Sequence, residues 1–130
     1  MKATELMIGD WVCLKDDTKY ELPLKVDGIL TDDISLEGEG FLGGVDGLIR
    51  PIPLTTEILE KNGFIKVNSQ RYDYGYPDTD CYVKVNPKKN MIHTNGRNAN
   101  SNLYSHSFVH ELQRALRLCG LNELADNFKI

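Results

Sequence analysis

The chain has 130 residues, 41% hydrophobic and 26% charged, with a formal net charge of −4 and a pI near 5.3. That composition supports a buried core and excludes a wholly disordered chain, while the acidic balance excludes a global basic field drawing it to nucleic acid or anionic membrane. The charge is uneven: residues 1–50 hold five basic and eleven acidic residues, and residues 51–130 hold ten and eight.

From Met1 to Asp10 the apolar run is too short and too acidic for a signal peptide. Nothing approaches the roughly 18 apolar residues of a spanning helix. Cys13, Cys81 and Cys119 are odd in number and far apart, with no C-x-x-C spacing to support a disulfide framework or zinc knuckle. Reduced, mostly buried thiols fit a cytoplasmic protein that has no membrane contact.

The spacing predicts strands through the first fifty residues. Leu6 to Leu14 is β-rich, with a turn or bulge at Gly9-Asp10. Tyr20 to Leu30 alternates, with Pro23 at an edge or strand start, and Ile34-Ser35-Leu36 alternates again. A glycine-rich loop then leads into Leu48 to Ile52. Residues 1–52 are expected to form a β-rich, SH3-like subdomain. Residues 53–130 are expected to form an α+β subdomain, so the class of the chain is α+β.

Pro51 to Phe64 carries a complete set of helix signals. Pro51 and Pro53 hold the chain extended, Thr55 is a good N-cap, and Glu57 suits the positive end of the helix dipole. Leu54 and Leu59 form a hydrophobic staple; Gly63 stops the helix and Phe64 folds back onto Leu59. Strands follow at Phe64 to Val67, at Tyr72 to Tyr76 and at Cys81 to Val85. Another strand covers Met91 to Thr94 beyond a hairpin turn at Asn86 to Asn90. Tyr76 to Asp80 reads as a turn, and Arg97 to Asn102 as a polar loop after Asn95-Gly96. The last long helix places Phe108, Leu112, Ala115, Leu116 and Cys119 on one face, with His110, Gln113, Arg114 and Arg117 opposite. Ser107 or Ser105 is its expected cap, and Gly120-Leu121 repeats the ending at Gly63-Phe64. A short helix from Glu123 to Asn127, capped by Asn122, closes the chain.

No motif assembles a catalytic or cofactor site. Gly38 to Gly43 matches G-x-G-x-x-G but runs into a β-like segment instead of opening a helix, and Glu39 opposes phosphate charge. His106 and His110 are four apart but lack H-E-x-x-H glutamate placement. Asp73, Asp78 and Asp80 lack the further ligands of a calcium loop. The expectation is no cofactor, no metal and no enzyme activity.

What remains is an aromatic and basic cluster in the second half: Arg71, Tyr72, Tyr74, Tyr76, Tyr82, Lys84, Lys88, Lys89 and Arg97, joined by His110 and Arg114 on the last helix. The leading reading is a non-catalytic interaction module that contacts a protein partner or itself. Single-stranded nucleic acid is a second reading, because bases stack on aromatic rings beside basic groups. Alternation argues against it by setting Tyr72, Tyr74 and Tyr76 opposite Arg71. A third reading is an enzyme whose site forms only in three dimensions.

Three segments carry a resemblance: Ile8-Gly9-Asp10-Trp11-Val12, Ile52-Pro53-Leu54-Thr55 through Ile58 to Phe64, and Val109-His110-Glu111-Leu112-Gln113 through Ala115-Leu116. Together they resemble a family of short, uncharacterised proteins from Bacteroidales genomes, phages and mobile elements. The resemblance implies a bacterial cytoplasmic or phage-encoded accessory protein. It assigns no activity, and no site residue follows from it.

Overall fold

The computed structural model describes residues 5–15, 21–30, 33–42, 49–75, 82–95, 100–104 and 107–130. Tyr76, Asp78, Asp80, Cys81, Arg97 and His106, each named above, lie outside the described residues. The fold is α+β, and the described residues form two five-stranded antiparallel sheets and three short α-helices. The chain divides into two compact units, Met1–Ile52 and Pro53–Ile130.

The first unit holds β1 (Trp11–Lys15), β2 (Glu21–Ile29), β3 (Ile34–Leu36), β4 (Gly40–Leu42) and β5 (Ile49–Arg50), in the order β4-β3-β2-β1-β5. Strand alternation buries Val12, Val26, Ile34, Leu36 and Ile49 together, Leu6 joins them from the segment before β1, and Leu14 and Leu24 pack against them. A bulge between Val26 and Gly28 shifts the pairing of β2 with β3. Asp10 pins the start of β1: its side chain accepts from the Met7 amide at 2.8 Å and its carbonyl from the Val26 amide at 2.9 Å. No pairing joins β4 to β5 among the described residues, so they show no closed barrel.

Two expectations change here. The glycine-rich stretch is not all loop, since Gly40 to Leu42 pair with β3. Pro23 lies inside β2, a central strand, opposite Cys13. The sheet tolerates it because β3 pairs only from Val26 onward, leaving the other side of β2 without a described neighbour at Pro23.

The second unit starts with α1 (Thr56–Lys61). Thr55 is its N-cap and accepts from the Ile58 amide at 3.2 Å. Its end is a Schellman motif: the Gly63 amide donates to Glu60, the Phe64 amide donates to Leu59, and Gly63 takes φ +84°. The strands β6 (Ile65–Lys66), β7 (Tyr72–Tyr74), β8 (Tyr82–Asn86), β9 (Met91–Asn95) and β10 (Asn100–Tyr104) form a meander in chain order. A 3-10 turn, Pro87–Lys89, joins β8 to β9, with the Asn86 side chain accepting from the Lys89 amide and Asn90 left-handed. Asn100 to Asn102 belong to β10, not to a loop, because their backbones pair with His93 to Asn95.

The sheet packs against α2 (Val109–Leu118) through β9, and α2 packs against α3 (Asn122–Asp126). Val83, Val85, Ile92 and Thr94 are buried on one sheet face, and Val109, Leu112, Ala115 and Leu116 on the helix. The α2 ending repeats that of α1, with the Leu121 amide donating to Leu116 and Gly120 at φ +82°. Ser107 is not the cap. Phe108 holds that position without a side-chain hydrogen bond, while the Ser107 hydroxyl donates to Pro87 and Asn90 at the β8–β9 turn. Nor does Asn122 cap α3: it is the first helical residue, and Leu121 precedes it. Gln113 and His110, expected on an exposed face, are buried. Gln113 lies under α3, where its amide donates to the Ala125 carbonyl at 3.0 Å.

Candidate functional site

Residues opposite one another across an antiparallel ladder share a sheet face. In the second unit, Tyr72 pairs with Val85 and Tyr74 with Val83, so both tyrosines lie on the helix-covered face. Tyr72 is only 4% exposed. Tyr74 is half-buried, with its ring 5.4 Å from that of Phe64. These two therefore leave the candidate surface. Burial beneath the helix layer, which periodicity alone cannot assign, removes them.

The opposite face brings a different set together. One row runs Ile65, Asp73, Lys84 and His93 across four strands by register. Tyr82, opposite Asn95, lies on the same face. Lys84 Nζ stands 5.2 Å from the Tyr82 ring centroid, and the Tyr82 and His93 rings are 6.2 Å apart. Lys88 and Lys89 are exposed on the turn at one end.

Arg71 and Asp73 share the parity of this face. Arg71 Nε lies 3.1 Å from Asp73 Oδ1, near enough for an ion pair. The N–H does not point at the oxygen, so neither atom is in a hydrogen bond among the described residues. Asp73 is 3% exposed. A carboxylate desolvated to this degree needs its neighbouring cation, and Lys84 faces it from β8.

The last helix contributes little to this surface. His110 is buried with its ring 6.0 Å from Phe108 and nearly parallel to it, and Arg114 is exposed on α2, the helix packed on the other sheet face. Among the described residues, no group of three or more His, Cys, Asp or Glu stands close enough to hold a metal ion. A cleft of about 570 Å³ opens beside Tyr74, Gly120, Leu121, Asn122, Glu123 and Leu124.

Sequence reasoning missed Asp73 and His93 as members of this face. Their parity with Arg71 and Lys84 was the signal available. It also missed the outer face of the first sheet. There Phe41 pairs with Ser35, and Ser35 with Gly28, away from the core residues Val26, Ile34 and Leu36. A Cβ placed on Gly28 would stand 3.2 Å from Phe41 Cζ, so the ring lies against bare backbone. Trp11 and Lys25 pair on the same side, with Lys25 Nζ 5.4 Å from the indole centroid.

Comparison with known proteins gave no match: no protein-family model fits the chain, and no curated protein or solved structure is significantly similar to it. No helix among the described residues is long and apolar enough to cross a membrane.

Proposed function

We propose that this chain is a non-catalytic, cytoplasmic protein-interaction module whose contact is made by the outer face of the first sheet. The observation that carries the reading is Phe41, 56% exposed while its ring rests on Gly28. Met7, Ile8, Leu22 and Leu30 are also exposed on this unit. Scattered apolar residues are ordinary on a surface. An aromatic ring preorganised over a glycine, with Trp11 on the same sheet face, is the kind of anchor that dominates protein contacts.

Residues 1–52 hold five basic and eleven acidic residues, so a segment with an apolar anchor and basic flanks complements them. Strand order, with the last strand returning beside the first, supports an SH3-like reading of the unit. The cytoplasmic reading rests on two buried cysteine thiols, those of Cys13 and Cys119. An accessory role in a bacterium, phage or mobile element is part of the same proposal, on the resemblance described above.

The test compares Phe41→Asp with the unaltered chain. Light scattering over a concentration series reads self-association, and calorimetry with a purified captured partner reads affinity. The expected result is a loss of about tenfold or more for either contact in the variant, with the fold retained. A chain that stays monomeric, together with partners that bind the variant equally well, would overturn the reading.

A further inference from the structure

We infer that the face of the second sheet turned away from α2 binds single-stranded nucleic acid. It belongs to a different unit from the proposed protein contact, so either can fail alone. Three observations converge on it.

Charge within the second unit is segregated. Residues 64–104, which hold the sheet and its turns, carry six basic and three acidic residues; the flanking helical segments of the unit carry four and five. The chain is acidic as a whole, yet this sheet is its basic part.

Aromatic rings sit among those cations on adjacent strands. Tyr82 on β8 and His93 on β9 are diagonal neighbours with centroids 6.2 Å apart, and Lys84 lies beside both, opposite His93 in register and 5.2 Å from the Tyr82 ring. Both rings are half-buried, leaving part of each accessible. Rings on neighbouring strands of a sheet backed by helices can each take an unpaired base, and no sequence is required because every base has a stacking face. Lys84, Arg71 and the exposed Lys88 and Lys89 then line the path of the phosphates. A duplex cannot offer its bases to these rings. For the alternative occupant, a protein segment, the exposed apolar surface described on this face is confined to the β6 edge, at Ile65 and Val67, with Met91 half-buried.

Asp73 sets the strength of the surface. It lies 3.1 Å from Arg71 and faces Lys84, and its oxygens accept no hydrogen bond from the described residues. It is an internal counter-ion to Arg71, and it competes with phosphate for both cations.

The test is fluorescence anisotropy of the full chain with a labelled single strand of about 12 nucleotides over a salt series. Binding is expected with a log–log salt slope of about −3, from four cations on a single strand. A duplex of equal length should bind more weakly. Tyr82→Ala and Lys84→Ala should each weaken binding about tenfold and Tyr82→Phe should not. Asp73→Asn should tighten binding about threefold, and Arg114→Ala on α2 should leave it unchanged. Circular dichroism of each variant confirms folding. No salt-sensitive binding at about 100 μM protein would overturn the inference. So would binding that Tyr82→Ala leaves intact, or poly-glutamate competing as well as the oligonucleotide, since either outcome reduces the face to charge alone.

Discussion

At the scale of single residues, Asn62 does more than end a helix. Its Nδ2 donates to the Ile58 and Lys129 carbonyls, both at 2.8 Å, and its Oδ1 accepts from the Lys129 amide at 2.8 Å. One buried amide thus ties the last turn of α1 to a segment 67 residues away. Asn62→Ala leaves these backbone groups without their partner and creates a small void. The expected cost is about 2–3 kcal/mol, read as a lower urea midpoint, together with lost exchange protection at the Lys129 amide. A change below about 0.5 kcal/mol would show that the tail is held by packing at Phe128 instead. The sequence offered no route to this role, because an asparagine before glycine is explained by turn chemistry alone.

The same limit applied to the candidate surface. Parity within each strand was legible, and it correctly separated Arg71 from Tyr72 and Tyr74. Which parity the helices would cover was not legible, because that depends on strand register. Knowing it removes Tyr72 and Tyr74, keeps Tyr82 and adds His93 and Asp73.

Among the elements, α1 and the end of α2 were the most legible because every signal lies within a few residues of the helix it controls. Thr55→Ala removes the cap to the Ile58 amide and should cost about 1 kcal/mol. The two glycine endings allow a sharper comparison, since both glycines sit near φ +83° in the same motif: Gly63 at +84° and Gly120 at +82°. An alanine at Gly120 meets no atom within 4 Å, so Gly120→Ala should cost only the left-handed strain of about 1–2 kcal/mol. At Gly63 the new methyl would meet the Tyr74 ring at 3.4 Å, an ordinary van der Waals contact, so Gly63→Ala should cost no more than Gly120→Ala. Matched denaturation curves decide this, and a larger loss at Gly63 would mean that the Tyr74 ring is crowded. Elements whose cause is distant were harder to read. Strand β4 is glycine-rich and takes its form from β3; Ser107 looks like a cap but is held by the β8–β9 turn. Gln113 looks exposed until α3 is laid over it.

The whole molecule combines two units of unequal means. The first unit spans 52 residues, carries a net charge of −6 and builds its core from a small cluster around Val12, Val26, Ile34 and Leu36. The second unit is larger and buries Leu59, Phe64, Ile92, Leu112, Leu116 and Phe128 as well as its sheet valines. A domain near the lower size limit buries a smaller share of its surface, and its own charge opposes compaction. The first unit should therefore be the weaker one, and salt should stabilise it preferentially by screening that repulsion. The sequence supplies separate probes for the two. Trp11 is the single tryptophan and lies in the first unit, whereas α1, α2 and α3 all lie in the second. In a urea titration the tryptophan fluorescence transition should precede the loss of ellipticity at 222 nm, and added salt should narrow the gap. Transitions that coincide at every salt concentration would show that the units unfold as one, which would move the stability of the first unit from its own small core to its attachment to the second.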